Sequence, residues 1–360
     1  MKGETRKAPL VRLAKRDDLE GRKAWAVRIA SIILALILGC IPILITGNNP
    51  AASYAVIIKG SFGTSFYIKQ TLKEMIPLLG TALAIAPCFK MRFWNIGAEG
   101  QITAGAVAAS FFAINFASLP HVPLLLVMGL AGAIGGAAWA AVPGFFKARY
   151  NTNETLFTLM MNYIAIGIVA WLQGGPWEGR RGTQQVPLFD KNAYLPQVFG
   201  LHIGWIIVLV LVVLIHIYMN YTKQGYEVSV IGDSMNTARY AGMNVKWIIV
   251  RTMLVSGAVC GLVGYILVSG QNKTITSNVA NGVGFTAITV AWLGNLNAFA
   301  MILISLILAI LSRGSSYLQQ ILGVPAAISD IVSGILLFSM LGSEFFIRYR
   351  VILRKKEVKA

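Results

Sequence analysis

Residues 92–101 of this chain read Arg-Phe-Trp-Asn-Ile-Gly-Ala-Glu-Gly-Gln, a polar break between two apolar runs. It places a carboxylate (Glu99), two amides (Asn95 and Gln101) and two glycines between long apolar runs, in a protein of which 12% is charged. Ionisable groups at membrane depth are costly and usually face a bundle interior or an aqueous cavity. Polar, glycine-containing breaks between apolar helices are where transporters unwind the backbone to line a path. The stretch therefore predicts a membrane transport protein.

Composition predicts an all-α integral membrane protein. The 360 residues are 56% hydrophobic with a mean hydropathy of +0.67, which is too apolar for an ordinary soluble domain. Runs near the ~20 residues that span a bilayer recur along the chain. They predict about ten transmembrane segments, the eighth of them short or incomplete, at about 27–47, 71–87, 98–117, 122–146, 155–173, 201–221, 247–269, 283–293, 296–312 and 325–343.

The positive charge is concentrated at the two ends. Residues 2–28 hold nine Lys and Arg, and residues 348–359 hold six. Basic residues flanking membrane spans favour the cytoplasmic side, so both termini are expected there, where they can touch anionic lipid. A permease domain over 27–345 would then lie between basic cytoplasmic tails at 1–26 and 346–360. No folded basic domain is left to bind nucleic acid.

Counting crossings from a cytoplasmic start orients the longer loops. The loop 174–200 is expected outside, and the polar stretch 222–246 inside. Within this stretch, Asp233 or Ser234 can cap a short helix at about 235–241 that ends at Gly242. The helix would lie between two spans on the cytoplasmic face.

The two halves of the chain carry a weak internal repeat. The spans 71–87 and 247–269 each lead into a polar break of about ten residues, marked by Asn95-Ile96-Gly97 in the first copy and Asn281-Gly282 in the second. Because the two copies enter the membrane from opposite sides, they predict an inverted repeat of helices, as in many transporters. Two glycine pairs at four-residue spacing, Gly132/Gly136 and Gly257/Gly261, predict close helix contacts.

Polar and aromatic residues near the breaks are candidates for a substrate pathway. Amides donate and accept hydrogen bonds, and aromatic faces suit a sugar or a nucleobase, although each residue taken singly is also common in helix packing. Glu99 has three possible roles: contact with a substrate hydroxyl or amine, relay of a proton, or capping of the following helix from its first turn. The candidates are Asn95, Glu99, Gln101, Asn162, Trp171, Asn281 and Phe285.

Other chemistry has little support in the sequence. The three cysteines and three histidines have no metal-ligand spacing, so no metal site is expected. No paired acid and base, or nucleophile and base, points to a membrane enzyme. The chain also has no Gly-x-x-x-x-Gly-Lys-Ser/Thr loop to hold ATP phosphates.

Nearly the whole chain, from about 26 to 345, resembles permease subunits of ABC importers for nucleosides and simple sugars, which are served by basic-membrane-protein-type lipoproteins. The resemblance is strongest over the coupling-helix segment 223–268 and the signature 93–101. Shorter matches occur at Asn153-Glu154, 282–285 and 323–325. The sequence departs from the family pattern at Asp233-Ser234-Met235, at Trp94 and at Trp292.

The resemblance implies a type II-like ABC importer permease in a bacterial cell membrane. It implies no cofactor in this chain, because a separate ATPase subunit would bind ATP and Mg. It also implies a second homologous permease forming a heterodimer, and an external substrate-binding lipoprotein. The residues that would couple to the ATPase are Gly232, Asp233, Asn236, Ala238, Arg239, Tyr240 and Gly242.

The resemblance favours nucleosides as the substrate, with ribose-like sugars as the alternative. A different class, the ion-coupled secondary transporter, would need titratable groups in several spans. Glu99 and Arg251 are the exceptions in spans that are otherwise nearly free of charge.

Overall fold

The described part of the chain is built mainly of α-helices. The structure, a computed structural model, describes residues 11–15, 21–323 and 325–353. Within these ranges the helices are α1 (Gly21–Ile45), α2 (Pro50–Phe62), α3 (Ser65–Lys90), α4 (Ala98–Asn115), α5 (His121–Tyr150), α6 (Glu154–Gln173), α7 (Gly204–Tyr221), α8 (Lys223–Asp233), α9 (Met235–Tyr240), α10 (Val245–Ile266), α11 (Val283–Leu293), α12 (Ala298–Leu322) and α13 (Ala326–Arg348). A π-helical segment, Leu267–Asn272, prolongs α10.

Two short antiparallel ribbons accompany the helices. One pairs β1 (Val11–Lys15) with β4 (Tyr349–Leu353), and the other pairs β2 (Gln197–Val198) with β3 (Leu201–His202). The first ribbon joins parts of the two segments that the sequence predicts as basic tails. The rest of the tails, at 1–10, 16–20 and 354–360, lies outside the described residues, as does Val324 of the 323–325 match.

Six of the described helices are long and apolar enough to cross a membrane, or seven if the sharply bent pair Ile29–Ile45 and Pro50–Phe62 is counted as one span. A helix is present at each of the ten positions predicted from hydropathy. The eighth, α11, has 11 residues and is about 16 Å long, roughly half of the ~30 Å hydrocarbon core. It is therefore short, as predicted.

Residues 61–313 form one of two compact units, and α4, α5 and α10 pack together at its centre. The two predicted glycine pairs face each other there. A Cβ on Gly261 would overlap the carbonyl of Gly132, and a Cβ on Gly257 would overlap that of Gly136. The close contact therefore depends on the absence of side chains, as the four-residue spacing predicts.

The other compact unit contains residues up to 60 and from 314 onwards. In it, α1 packs along α13. The Tyr54 hydroxyl of α2 donates a hydrogen bond of 2.6 Å to the carbonyl of Leu36 in α1. A Cβ on Gly39 would lie 2.6 Å from that hydroxyl. Glycine thus leaves room for Tyr54 to reach the backbone of α1.

Polar caps set several helix boundaries. The Asn153 side chain accepts from Leu156 N at the start of α6, where the sequence predicts an N-cap. The Thr222 hydroxyl accepts from Gly225 N and begins α8, a helix that lies within the stretch predicted only as polar. These caps satisfy amide groups that a helix leaves unpaired at its start.

The long loop 174–200 is bound to the π-helical segment and the chain just after it. Phe189 N donates to Lys273 O at 2.9 Å, and Leu195 N donates to Ser269 O at 3.1 Å. His202, at the end of the β2–β3 ribbon, is 1% exposed. Both of its ring nitrogens lack a hydrogen-bond partner within the described residues.

Candidate functional site

The two polar breaks predicted from the sequence meet inside the structure. Glu99 lies in the first turn of α4, directly after the first break. Its carboxylate accepts two hydrogen bonds at the start of α11: Gly282 N to Oε1 at 2.7 Å and Gly284 N to Oε2 at 2.8 Å. We name this contact, together with the buried amide side chains of Asn95, Gln101 and Asn162, the break junction. It joins segments 183 residues apart.

The carboxylate of Glu99 caps α11. Of the three roles that the sequence left open, capping is therefore present, but the capped helix is α11 and not the helix α4 to which Glu99 belongs. Two charge-assisted bonds to backbone amides are strong, and the positive end of a helix favours a negative charge. Glycine is required at 284, because a Cβ there would overlap the backbone of Glu99. Glu99 itself is 5% exposed.

Asn162 holds the irregular backbone of the first break from the side of α6. Its Oδ1 accepts from Gly100 N at 2.8 Å, and its Nδ2 donates to Ile96 O at 3.0 Å. The Thr158 hydroxyl, one turn earlier on α6, accepts from Ile96 N at 3.2 Å. A non-helical backbone at membrane depth needs such partners, because hydrocarbon supplies none.

Asn95 and Gln101 form a buried pair beside this segment. Gln101 Nε2 donates to Asn95 Oδ1 at 3.1 Å, and the same oxygen accepts from Gly97 N at 3.1 Å. Asn95 Nδ2 donates to Ser256 Oγ of α10 at 3.2 Å. Both amides are at most 1% exposed. Their hydrogen-bonding groups are therefore used within the protein to fix the path of the chain.

The remaining candidate residues lie outside this buried network. The Asn281 side chain accepts from Asn278 Nδ2, and its backbone is left-handed, with φ 47°, just before the capped end of α11. Phe285, in the first turn of α11, is 45% exposed. Trp171 is 67% exposed and lies about 14 Å along α6 from Asn162. The structure thus brings together Asn95, Glu99, Gln101 and Asn162, and leaves Trp171 apart from them.

Thr158 and Ser256 also belong to the break junction, and the sequence did not predict them as part of it. Thr158 was detectable, because it lies four residues before Asn162 and hence on the same face of α6. Ser256 gives no comparable signal. It is a small polar residue in an apolar helix, and its partner Asn95 is 161 residues away.

The short helix predicted at about 235–241 is present as α9. Ser234, and not Asp233, caps it, since the Ser234 hydroxyl accepts from Thr237 N at 3.2 Å. Gly242 ends it with a φ of +74°. Asn236, Arg239 and Tyr240 are exposed, and Tyr240 is 94% exposed. The helix thus presents a mixed polar and aromatic surface to its surroundings.

The base of α9 lies in the same apolar cluster as residues of the first break. Ala238 of α9 is buried in an apolar cluster with Ile231 of α8 and with Met91 and Phe93, which directly follow α3. A Cβ on Gly232 would overlap the carbonyl of Lys90, so α8 approaches the end of α3 backbone to backbone. One buried apolar cluster therefore contains residues of α8, of α9 and of the segment that follows α3.

An ion pair fixes α8 to α10. Arg251 Nη2 and Glu227 Oε2 are 2.9 Å apart, with both side chains largely buried. This pairing accounts for the arginine that the sequence places near the end of a span. In the described ranges, no group of three His, Cys, Asp or Glu side chains is arranged to hold a metal ion.

Comparison with known proteins gives whole-length matches. The family described as "Branched-chain amino acid transport system / permease component" matches residues 67–341. The chain is 32% identical to the glucose ABC transporter permease protein TsgB13 of Haloferax volcanii, over 91% of this chain and 90% of the relative. It is 31% identical to the guanosine ABC transporter permease protein NupP of Bacillus subtilis, over 90% and 94%.

A third relative is the nucleoside ABC transporter permease protein NupB of Lactococcus lactis, 28% identical over 87% of this chain and 89% of the relative. None of the solved structures matches the chain significantly.

Proposed function

Because this chain belongs to the family of branched-chain amino acid transport system permease components, we propose that it is the permease subunit of an ATP-driven importer of nucleosides. The observation that carries the proposal is its similarity along nearly the whole length to ABC permeases, two of which are named for guanosine and for nucleosides. A sugar is the second candidate, because a relative of similar identity is named for glucose.

The architecture of the importer follows from the helices and their breaks. Ten helices at the predicted positions would give ten crossings, with α11 incomplete, related as an inverted repeat. The meeting of both breaks in one junction supports such a repeat, since inverted repeats build their path where corresponding breaks converge. Both termini and the 222–246 segment would be cytoplasmic in a bacterial cell membrane, and the 174–200 loop external.

The exposed surface of α9 is the proposed docking site for an ATPase subunit. Arg239, Tyr240 and Asn236 would contact that subunit, which would bind ATP and Mg. Gly232, Asp233, Ala238 and Gly242 would shape and anchor the helix. A second, homologous permease would complete a heterodimer, and an external lipoprotein would deliver the substrate.

Transport would proceed by alternating access. ATPase closure would displace α9, and the apolar cluster that Ala238 shares with Met91 and Phe93 would carry the displacement to the first break. In this scheme Asn95, Glu99, Gln101 and Asn162 hold the shape of the break that borders the path. Phe285 and Trp171 are exposed enough to contact the substrate directly, and Asn281 positions the start of α11.

The test is radiolabelled uptake of guanosine, uridine, ribose and glucose by cells with and without this chain. The same assay is repeated after ATP depletion with the proton gradient maintained. Nucleoside uptake that requires both the chain and ATP is expected. Uptake of a sugar alone would favour the second candidate. Nucleoside uptake that requires the chain but survives ATP depletion would favour an ion-coupled carrier instead.

A further inference from the structure

Three aromatic rings from separate elements meet beside the first break. The rings of Trp94 and Trp292 are stacked, with centroids 5.6 Å apart and planes at 28°. Phe89, in the last turn of α3, stacks on Trp292 at 5.7 Å and 27°. Trp292 belongs to the last turn of α11, so the cluster links the end of α3, the break and α11. We name these three residues the ring cluster.

One side of the ring cluster is open. Phe89 is 3% exposed, whereas Trp94 is 46% exposed. A cavity of about 170 Å³ adjoins the rings, and its lining consists of the ring cluster and Arg92. Arg92 has a left-handed backbone, with φ 59°, which is uncommon for a residue other than glycine. The space therefore combines planar aromatic faces with a single cation.

These lining groups match the chemistry of a nucleobase. A base presents a planar π-face, which stacks on aromatic side chains, and carbonyl and ring-nitrogen acceptors, which suit the fixed donors of a guanidinium. A hexose would bring several hydroxyl groups into a space whose polar side-chain groups are the Arg92 guanidinium and the indole N–H groups of Trp94 and Trp292. Unpaired hydroxyl groups are costly to bury, so the cavity favours a base over a sugar.

The ring cluster is also connected to α9. Burial alternates along the break: Met91 and Phe93 are buried, whereas Arg92 and Trp94 are exposed. The buried pair packs in the apolar cluster that contains Ala238 of α9. The buried side of this short segment thus lies in the apolar cluster that also contains a residue of the proposed docking helix, and the other side carries Arg92 and Trp94. A movement of α9 would therefore change the stacking surface.

We propose that the ring cluster and Arg92 form a stacking site for the base of the transported nucleoside on its path through the permease. This role rests on the proposed import function. Trp94 and Trp292 supply the stacking faces, Phe89 supports Trp292 from within the protein, and Arg92 donates hydrogen bonds to acceptor atoms of the base. Through residues 91–93, docking of the ATPase controls whether the site is open.

The test compares uptake by the complete importer carrying Trp94→Leu, Trp94→Phe, Trp292→Leu or Arg92→Gln. Loss of stacking on one aromatic ring is expected to lower guanosine uptake about 5- to 150-fold. Trp94→Phe should recover most of it, because a π-face remains. Phe111→Leu is the matched control: Phe111 is 45% exposed and packs against the rings of Phe112 and Phe116, neither of which belongs to the ring cluster.

A direct readout accompanies the uptake assay. In the purified importer, photolabelling with 8-azidoguanosine should mark the peptide containing residues 89–94 or the one containing Trp292. Excess guanosine should suppress the labelling, and excess ribose should not. Arg92→Gln, an exposed substitution that leaves the rings in place, keeps this readout available if a tryptophan variant fails to assemble.

The outcomes separate this proposal from the function on which it rests. If the unmodified importer takes up no nucleoside, the proposed function fails. If it imports guanosine while Trp94→Leu, Trp292→Leu and Arg92→Gln have unchanged uptake, the stacking site is refuted and the importer remains. Equal losses of nucleoside and sugar uptake would also refute it, because the cluster would then act on any passing substrate.

Discussion

The break junction and the α9 surface contain similar residue types but use them in opposite ways. In the junction, Glu99 and Asn162 are buried, and their polar atoms are bound to the protein's own backbone. On α9, Arg239 and Tyr240 are exposed. A polar residue in a membrane protein is thus not by itself evidence of a ligand. Its exposure, and the partners already bound to it, decide whether it can act on something else.

The largest effect on transport is expected at the exposed surface. Arg239→Glu should abolish uptake, because it reverses the charge at the proposed ATPase contact. Insertion and thermal stability should be unchanged, because the side chain is exposed. Uptake and the melting temperature of the purified protein measure the two effects separately. Arg181→Glu, the same charge reversal in the loop 174–200, is the control. Normal uptake by Arg239→Glu would contradict the coupling role of α9.

The largest effect on stability is expected at the junction. Glu99→Ala would leave the buried amide of Gly284 and the partly buried amide of Gly282 without an acceptor, at a cost of about 2–6 kcal/mol. The stability of Glu99→Gln should lie between those of Glu99→Ala and the unmodified protein, since the single carbonyl oxygen of glutamine can accept from one of the two amides. Thermal unfolding in detergent measures the difference, with Asp190→Asn in the exposed loop as the charge-matched control. If Glu99→Ala were as stable as the unmodified protein while losing uptake, Glu99 would act on the substrate and not as a cap.

A smaller loss of stability is expected from substitution of Asn162. Asn162→Ala removes the acceptor for Gly100 N and the donor to Ile96 O, and its cost should lie towards the lower end of the same range of about 2–6 kcal/mol, because neither lost bond is charge-assisted. Asn162→Asp keeps the acceptor for Gly100 N, so its melting temperature should lie between those of Asn162→Ala and the unmodified protein. Met160→Ala, on the exposed side of the same helix, serves as the control for shortening a side chain. Equal melting temperatures for Asn162→Ala and Met160→Ala would show that the break holds its shape without this side chain.

His202 lies between the junction residues and the α9 residues in character. It is as buried as Asn162, but its ring nitrogens have no hydrogen-bond partner within the described residues. Burial, together with the charge of Lys73, lowers the pKa of His202 to about 4. In the detached loop the pKa of His202 would have its ordinary value of about 6.5, so the detached form would bind a proton at a higher pH than the docked form. Docking of the β2–β3 ribbon is therefore at full strength above about pH 6.5 and weakens towards pH 4, by about 2 kcal/mol at pH 5.

Hydrogen exchange of the amides of Leu195 and Ile203, measured between pH 8 and pH 5 and corrected for the intrinsic pH dependence of exchange, tests this expectation. Their protection should fall with pH in the unmodified protein, and the fall should disappear in His202→Leu. A protection that does not change with pH would mean that His202 finds a hydrogen-bond partner in the membrane-embedded protein.

Features set by neighbouring residues could be predicted from the sequence. The position of α9, its end at Gly242, the cap at Asn153 and the short α11 depend on residues within a turn or two of each other. The glycine pairs of α5 and α10 also predicted a close contact. The start of α8 has a comparable local signal in the cap at Thr222.

Features set by distant contacts could not be predicted. Nothing near Glu99 indicates that its acceptors lie in a helix 183 residues later, and nothing near Trp94 indicates that it stacks on Trp292. The sequence therefore leaves open whether the amides of the signature bind a ligand or pack within the protein, and the structure shows that they have partners within the protein. Composition identifies such residues as important, but only the tertiary contacts identify what they bind.

The distance in sequence between Glu99 and the amides it binds has a consequence for biosynthesis. At roughly 5–20 residues per second, the ribosome needs about 10–40 s to make the 183 residues between them. During that time the carboxylate has none of its final partners, although the helices around it have already been made. We therefore expect the first half of the chain to wait with Glu99 exposed to water, or held by the insertion machinery, until α11 arrives.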